Sequence, residues 1–179
     1  MEKLIDDLGV AFRMDQSIGI RLSLQKIELA ELIRRVVAET ANMSSVKENR
    51  FEIFGGEEPL YVMGDAGPLR RAFSNLLVNA VVHNPAGTQI AVRIQHGAYS
   101  EVQIADNGKG MDEQSMAHLF DRYYRGTSTD APSGGTGLGM AIVRQIITAH
   151  QGIVDVKSEL GHGTSITVRL PYCQDASVS

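Results

Sequence analysis

The sequence predicts an α+β sandwich in which a mixed, mostly antiparallel sheet carries helices on one face, preceded by a separate N-terminal helix. Three observations carry this expectation. Segments of alternating apolar and polar residues, "TQIAVRIQ" with "EVQIAD" and "GIVDVKSE" with "TSITVRLP", come in adjacent pairs joined by glycine-containing bends, as hairpins require. Between them lie segments of helical period, including "IELAELIRRVVAETANMSS" and "LGMAIVRQIITAHQG". Strands interrupted by helices, with hairpins toward the end, indicate one sheet layer against one helix layer.

Taken in order, "MEKLIDDLGVAFRM" sets Leu4, Leu8, Ala11 and Phe12 on one helical face, with nothing nearby in sequence to cover it. This face belongs to a structure continuing beyond it, or pairs with a second copy of itself in a homodimer. A polar stretch, "DQSIGIRLSLQK", leads to a helix over about 28–45, where Leu29, Leu32, Ile33 and Val36 recur at helical spacing. "RFEIF" and "LYVMGD" read as short strands flanking the Gly55-Gly56 turn, and Asp65 is placed to cap a helix starting near Pro68. The two hairpins follow, bending at Gly97 and at Gly161-His162-Gly163. Between them, "YRGTSTDAPSGGTGLG" has the composition of a mobile loop, and the helix after it is expected to end at Gly152. The division expected is 1–20 as the end of a helix and linker, 21–172 as the main domain, and 173–179 as a disordered tail.

Composition narrows the function classes. The formal net charge is −4 and the basic residues are scattered, so the positive stripe that a phosphate backbone needs is missing and nucleic acid is not an expected partner. The single cysteine, Cys173, cannot pair within the chain, which fits a reducing compartment. No apolar run approaches the roughly 20 residues of a membrane span.

Four short stretches carry the chemistry. On the helix after Asp65, Leu69, Phe73, Leu76, Leu77, Ala80 and Val81 share one side, while Arg71, Asn75, Asn79 and His83 share the other. Asparagine costs several tenths of a kcal/mol against alanine inside a helix, so two in register need solvent or a partner that wants amide oxygens. "IADNGKGMDE" ends a strand in Asp106 and turns through Gly108 and Gly110, letting backbone approach a ligand; an EF-hand is excluded by glycines at its ligand positions. "GGTGLGMAIV" runs glycines into a helix start, where free N–H groups favour phosphate, without a Walker lysine or a dinucleotide spacing. In "GHGTSITVRLP", Thr164 opens a strand and could send its hydroxyl toward Asp106.

In their order these stretches resemble the ATP-binding catalytic domain of sensor histidine kinases, of GHKL or Bergerat type. Asn75 and Asn79, then Asp106 to Gly110, then "LFDRYYR", then Gly135-Thr136-Gly137-Leu138-Gly139, then Gly161 to Thr164 are similar to that family's N, G1, F, G2 and last glycine boxes, over about residues 28–172. The resemblance implies ATP and Mg²⁺ between helices and sheet under a flexible lid. It gives Asn79 the role of metal ligand, with Asn75 supporting it, and Asp106 that of acceptor for the adenine amino group. Gly108 and Gly110 adjoin the base, Thr164 reaches the same region through water, and His83 stands beside the nucleotide. Thr136, Gly137, Leu138 and Gly139 admit the phosphates. Arg125 neutralises γ-phosphate charge, and Phe120 and Tyr123 anchor the lid. Where the family often has a basic residue three positions after the second asparagine, this chain has Val82.

Related ATPases and serine kinases of the same fold have glutamate where this chain has Asn75, and an amide cannot remove a proton. Transfer to an imidazole is therefore expected over activation of water. The five histidines, His83, His96, His118, His150 and His162, lack the helical context of the family's phosphoacceptor. The acceptor is thus expected on a dimerisation domain outside this chain, with a response regulator downstream. The work is expected in the cytoplasm, with any membrane attachment through other parts of a parent protein. The alternatives are a nucleotide-sensing module that transfers nothing, and a serine kinase or ATPase.

Overall fold

The computed structural model describes residues 21–43, 48–121 and 139–173. Five strands, β2 (Arg50–Gly55), β4 (Gln89–His96), β5 (Tyr99–Asp106), β6 (Ile153–Glu159) and β7 (Gly163–Pro171), form one sheet in the order β2-β4-β5-β7-β6. The two expected hairpins, β4 with β5 and β6 with β7, are present, and β5 pairs antiparallel with β7 to join them. Only β2 runs parallel to its neighbour β4.

Period-2 alternation decides which face is covered. Ile90, Val92, Ile94, Val102, Ile104, Ile166, Val168 and Leu170 all point inward and are buried. Arg93, Glu101, Gln103 and Arg169 alternate onto the other face, where Arg169 bridges Glu101 (3.0 Å) and Asp155. Three helices cover the apolar face: α1 (Leu29–Ala41), α2 (Ala66–Val82) and α4 (Gly139–Ala149). α2 is the central one, and its Phe73 ring is fully buried among them. Truncating a buried phenylalanine to alanine costs about 3–5 kcal/mol, so this ring is a main support of the helix layer.

Several expectations need correction. The stretch before α1 contains a strand, β1 (Gln25–Glu28), which pairs antiparallel with β3 (Tyr61–Gly64) in a separate two-stranded sheet. The strands flanking Gly55-Gly56 therefore belong to different sheets. α1 ends at Ala41, short of 45, and its N-terminus is capped by Glu28, whose carboxylate accepts from the amides of Ala30 and Glu31. Asp65 occupies the N-cap of α2 but makes no capping bond, because its carboxylate takes the amide of Ser23 instead. α4 ends at Ala149, and Gln151 with positive φ then lets the Gly152 amide close back on the Ile147 carbonyl. A short helix, α3 (Glu113–Ala117), capped by Asp112, was not anticipated. The expected N-terminal helix and the tail from 174 onward lie outside the described residues.

His150, just past α4, is buried and joins two helix ends. Its Nδ1 donates to the Ile146 carbonyl (2.8 Å), and its Nε2 accepts from the Asp65 amide (3.0 Å) at the start of α2. This bond fixes α4 against α2, whose Asn75 faces the start of α4.

Candidate functional site

The polar side of α2 is covered unevenly: Asn75 is buried, Arg71 and Asn79 are half-buried, and His83 is exposed. Asn75 is only 9% exposed, and its Nδ2 donates to the carbonyl of Gly139 at 3.1 Å, where α4 begins. One turn on, the Asn79 side chain makes no hydrogen bond among the described residues. The two amides share a helix face, with Asn75 fixed by the protein and Asn79 uncommitted among the described residues.

At the C-terminal end of α2 the chain turns back toward the strand ends. His83 caps the helix through its backbone; crowding by the surrounding protein, then the charge of Lys109, hold its imidazole below the usual histidine range. Asn84 donates from Nδ2 to the Ala80 carbonyl (2.7 Å) and accepts at Oδ1 from the Lys109 amide (3.1 Å). It thereby ties the end of α2 to the turn after β5.

Asp106 ends β5 in register with Thr164 of β7, which is in register with Ser158 of β6. These three residues form a row across the sheet on its helix-facing side. The Asp106 carboxylate accepts through Oδ1 from the amides of Gly108 (2.9 Å) and Thr164 (3.3 Å). Burial pushes its pKa above the ordinary aspartate value, and the amides of Gly108 and Thr164, with the Asn84 side chain, oppose that shift. The upward direction shows that desolvation outweighs these donors. A carboxylate so placed gains from a further donor supplied by a ligand.

Two glycines make this packing possible. Gly110 has φ +71°, and a Cβ there would drive into the Glu159 carbonyl. Gly163 has φ +89°, and its Cβ would strike the Asp106 carbonyl. Both need the left-handed backbone that glycine adopts at low cost, and both need the missing side chain.

Of the residues singled out in the sequence, Asp106, Gly108, Gly110 and Thr164 are brought together at the strand ends. Asn75 and Gly139 meet where α2 faces α4, Asn79 lies one turn further along α2, and His83 stands at the end of α2 beside the glycine turn. Thr164 is reached differently from expectation: its amide, not its hydroxyl, contacts Asp106, and the hydroxyl pairs with Ser158 at 2.8 Å. Tyr123, Arg125, Thr136, Gly137 and Leu138 lie outside the described residues. Phe120 packs against the core. Asn84 and Ser158 were missed, because an asparagine before Pro85 reads as a helix stop and a serine in an alternating strand reads as filler.

The donor set suits a hard cation held together with a phosphorylated ligand. Asn79 offers an uncommitted neutral amide, whose oxygen can ligate Mg²⁺ while phosphate oxygens provide the charge. Among the described residues no group of three or more His, Cys, Asp or Glu side chains could hold a metal by itself.

Comparison with known proteins agrees with this geometry. The family model described as histidine kinase-, DNA gyrase B- and HSP90-like ATPase matches residues 64–174. The sensor histidine kinase YvrG of Bacillus subtilis is 35% identical over 169 residues, covering 94% of this chain and 29% of that protein. The sensor histidine kinase TrcS of Mycobacterium tuberculosis is 32% identical over 181 residues, covering 97% and 34%. Among solved structures, the mycobacterial sensor histidine kinase MprB superposes with a TM-score of 0.69 at 30% identity, covering 83% of this chain and 97% of that one. Full-length ShkA in complex with AMPPNP, at 24% identity and a TM-score of 0.82, shares the fold over 98% of this chain and 36% of its own. The chain thus spans about a third of the length of these curated relatives.

Proposed function

The chain belongs to the histidine kinase-, DNA gyrase B- and HSP90-like ATPase family, in its sensor histidine kinase branch, and from that premise we propose that it binds ATP with Mg²⁺ and transfers the γ-phosphoryl group to a histidine. The acceptor belongs to a dimerisation domain outside this chain, and a response regulator receives the phosphoryl group afterwards. The setting is the cytoplasm, where ATP is available; no helix among the described residues is long and apolar enough to cross a membrane.

The observation that carries the choice of chemistry is the bond from Asn75 Nδ2 to the Gly139 carbonyl. A glutamate at this position would set a carboxylate against a carbonyl, two acceptors face to face. The position is built for an amide, which donates here and cannot accept a proton from water. A neutral imidazole needs no such base, because its free nitrogen already carries the attacking lone pair. This favours phosphoryl transfer to histidine over hydrolysis.

The remaining residues bind and orient. Asp106 takes the adenine amino group, Asn79 Oδ1 ligates the cation, and the start of α4 at Gly139 meets the phosphates, with Thr136, Gly137 and Leu138 before it. Arg125 and Tyr123, outside the described residues, are assigned by the resemblance to γ-phosphate neutralisation and to anchoring the lid. Mg²⁺, when bound, supplies charge neutralisation across the phosphate oxygens.

The test has two parts. Calorimetric titration with ATP and GTP, with and without Mg²⁺, on wild type and Asp106→Ala examines the site. Incubation with γ-labelled ATP and a sensor kinase acceptor domain supplied in trans examines the transfer. Labelled histidine on the acceptor is the expected result. Tight ATP binding with no labelling would make the chain a nucleotide sensor, and brisk steady-state phosphate release would make it an ATPase.

A further inference from the structure

Ser158 occupies the end of the row Asp106, Thr164, Ser158, and its hydroxyl has three protein contacts. The Met111 amide lies 2.8 Å from Oγ, the Gly163 carbonyl 3.0 Å, and the Thr164 hydroxyl 2.8 Å. A serine hydroxyl has one proton to give and two lone pairs to receive with. The amide can only donate and the carbonyl can only accept, so two of the three polarities are set by chemistry. Ser158 therefore gives its proton to Gly163 and receives one from Met111. With that proton committed, the contact to Thr164 is a hydrogen bond only if Thr164 is the donor. This is the single assignment in which all three contacts are hydrogen bonds.

The consequence lies on the other side of Thr164. Its only hydroxyl proton points along the row toward Ser158, so Oγ1 keeps lone pairs alone for anything approaching from the Asp106 side. Its amide proton is already engaged by Asp106 Oδ1. Next to it the Asp106 carboxylate is an acceptor as well. The two side chains facing the base thus offer acceptors and no donor.

We infer that Ser158 is a positioning residue that fixes the polarity of the Thr164 hydroxyl and makes the base site accept only from its ligand, selecting 6-amino over 6-oxo purine nucleotides. The inference rests on the proposed binding of the adenine base at Asp106. It adds that discrimination does not come from the carboxylate alone. A 6-oxo group would meet two acceptors with no donor to turn toward it, because Ser158 holds the nearest movable proton. Releasing that proton lets Thr164 rotate and donate to the 6-oxo oxygen.

The experiment compares ATP with 6-methoxypurine riboside triphosphate, which puts an accepting oxygen in place of the 6-amino donor and keeps N1 unprotonated as in ATP, whereas the N1 proton of inosine triphosphate would itself be taken by the acceptors. In Ser158→Ala the ratio of the two affinities is expected to fall by about 5–10-fold, the size of one hydrogen bond gained by the 6-oxygen ligand. Ser158→Thr, which keeps the hydroxyl, is expected to retain the wild-type ratio. In a Thr164→Val background Ser158→Ala is expected to leave the ratio where Thr164→Val alone sets it. General loosening of the fold weakens both nucleotides alike and leaves their ratio in place. In nucleotide-free wild type, a slowly exchanging Thr164 hydroxyl proton with a nuclear Overhauser contact to the Ser158 β-protons is expected whether or not any variant folds. A freely exchanging hydroxyl, an unmoved ratio in Ser158→Ala, or an equal fall in the Thr164→Val background overturns the inference while leaving an Asp106-dependent ATP affinity intact. Wild-type protein that ignores ATP, or binds it equally well as Asp106→Ala, overturns the premise and the inference together.

Discussion

The row of polar residues that runs along α2 from Asn75 to the turn after β5 is built in opposite ways at its two ends. At the C-terminal end, Asn84, Asp106, Gly108, Lys109, Ser158 and Thr164 are joined by hydrogen bonds that run through backbone amides and carbonyls. Asn75, nine residues and about 13 Å before Asn84 along the helix axis, makes one bond to Gly139, and Asn79, five residues and about 7.5 Å before it, makes none among the described residues. The first end is preorganised, so under the proposed function a purine would meet groups already in place and lose little to ordering. The second has fewer protein bonds, which under the same proposal would leave room for a cation and phosphates that arrive together.

The sharpest way to break the comparison is at the incomplete end. Asn79→Ala removes the ligand oxygen, and phosphoryl transfer in trans is expected to fall by about 100-fold, the upper range for perturbing a metal site. Stability should hold or rise by a few tenths of a kcal/mol, since alanine is the better helix former and the Asn79 side chain makes no hydrogen bond among the described residues. A transfer rate unchanged in this variant would show that the cation is held elsewhere. Thermal melting and a labelling time course give both numbers.

At the preorganised end, Asp106→Ala deletes a charge-assisted acceptor worth about 1.5–3 kcal/mol, so ATP affinity should fall roughly 10–100-fold with or without Mg²⁺. The Asn79 and Asp106 side chains share no hydrogen-bond partner among the described residues, so the double variant should lose what the single variants lose together, within about 0.5 kcal/mol. A departure well beyond that would mean that the rigid end transmits to the open one.

The sequence was legible where interactions are local or periodic. The hairpins at Gly97 and Gly161-His162-Gly163, the apolar stripe of α2 and the glycine turn after Asp106 each follow from neighbouring residues. Legibility failed where a contact joins distant segments. β1 is four residues long and is a strand only because β3 lies beside it. The parallel pairing of β2 with β4 spans more than thirty residues and leaves no mark in either segment. At the site, residue types announced the acceptors Asp106 and Asn79, since a carboxylate at a glycine turn and an amide inside a helix both go against local preference. Ser158 and Asn84 go against none, and their role exists only through partners 47 and 25 residues away.

A pH titration sharpens the difference further. Burial raises the Asp106 pKa above the 3.8 of an ordinary aspartate, so the folded chain without ligand holds the proton more tightly than the unfolded chain does. Asp106 then weakens the free fold as pH rises from the unfolded value through the folded one, and by a constant amount above both. A bound adenine amino group reverses this by favouring the carboxylate. ATP affinity, measured relative to Asp106→Asn so that titration of the phosphates cancels, should drop as pH falls through the raised value. Affinity that stays level down to the ordinary aspartate range would show that the carboxylate is not the group that takes the base.

The smallest expected effect comes from adding a cation at position 82, three residues after Asn79 on the same helix face. Val82 is 44% exposed in the last turn of α2, so replacing it with lysine sacrifices little burial. A cation in the last turn also suits the helix dipole, an interaction of about 0.3–1 kcal/mol. Val82→Lys should therefore fold at least as well as wild type and bind ATP about 2–5-fold more tightly at low salt, from the added attraction to phosphate. Since the pair would be exposed, the gain should shrink as salt shortens the screening length to about 8–10 Å and below. Adenosine, which reaches only the preorganised end, should gain nothing. An equal gain for adenosine would place the new charge near the base and erase the distinction between the two ends; titrations of ATP and adenosine at two salt concentrations decide between these outcomes.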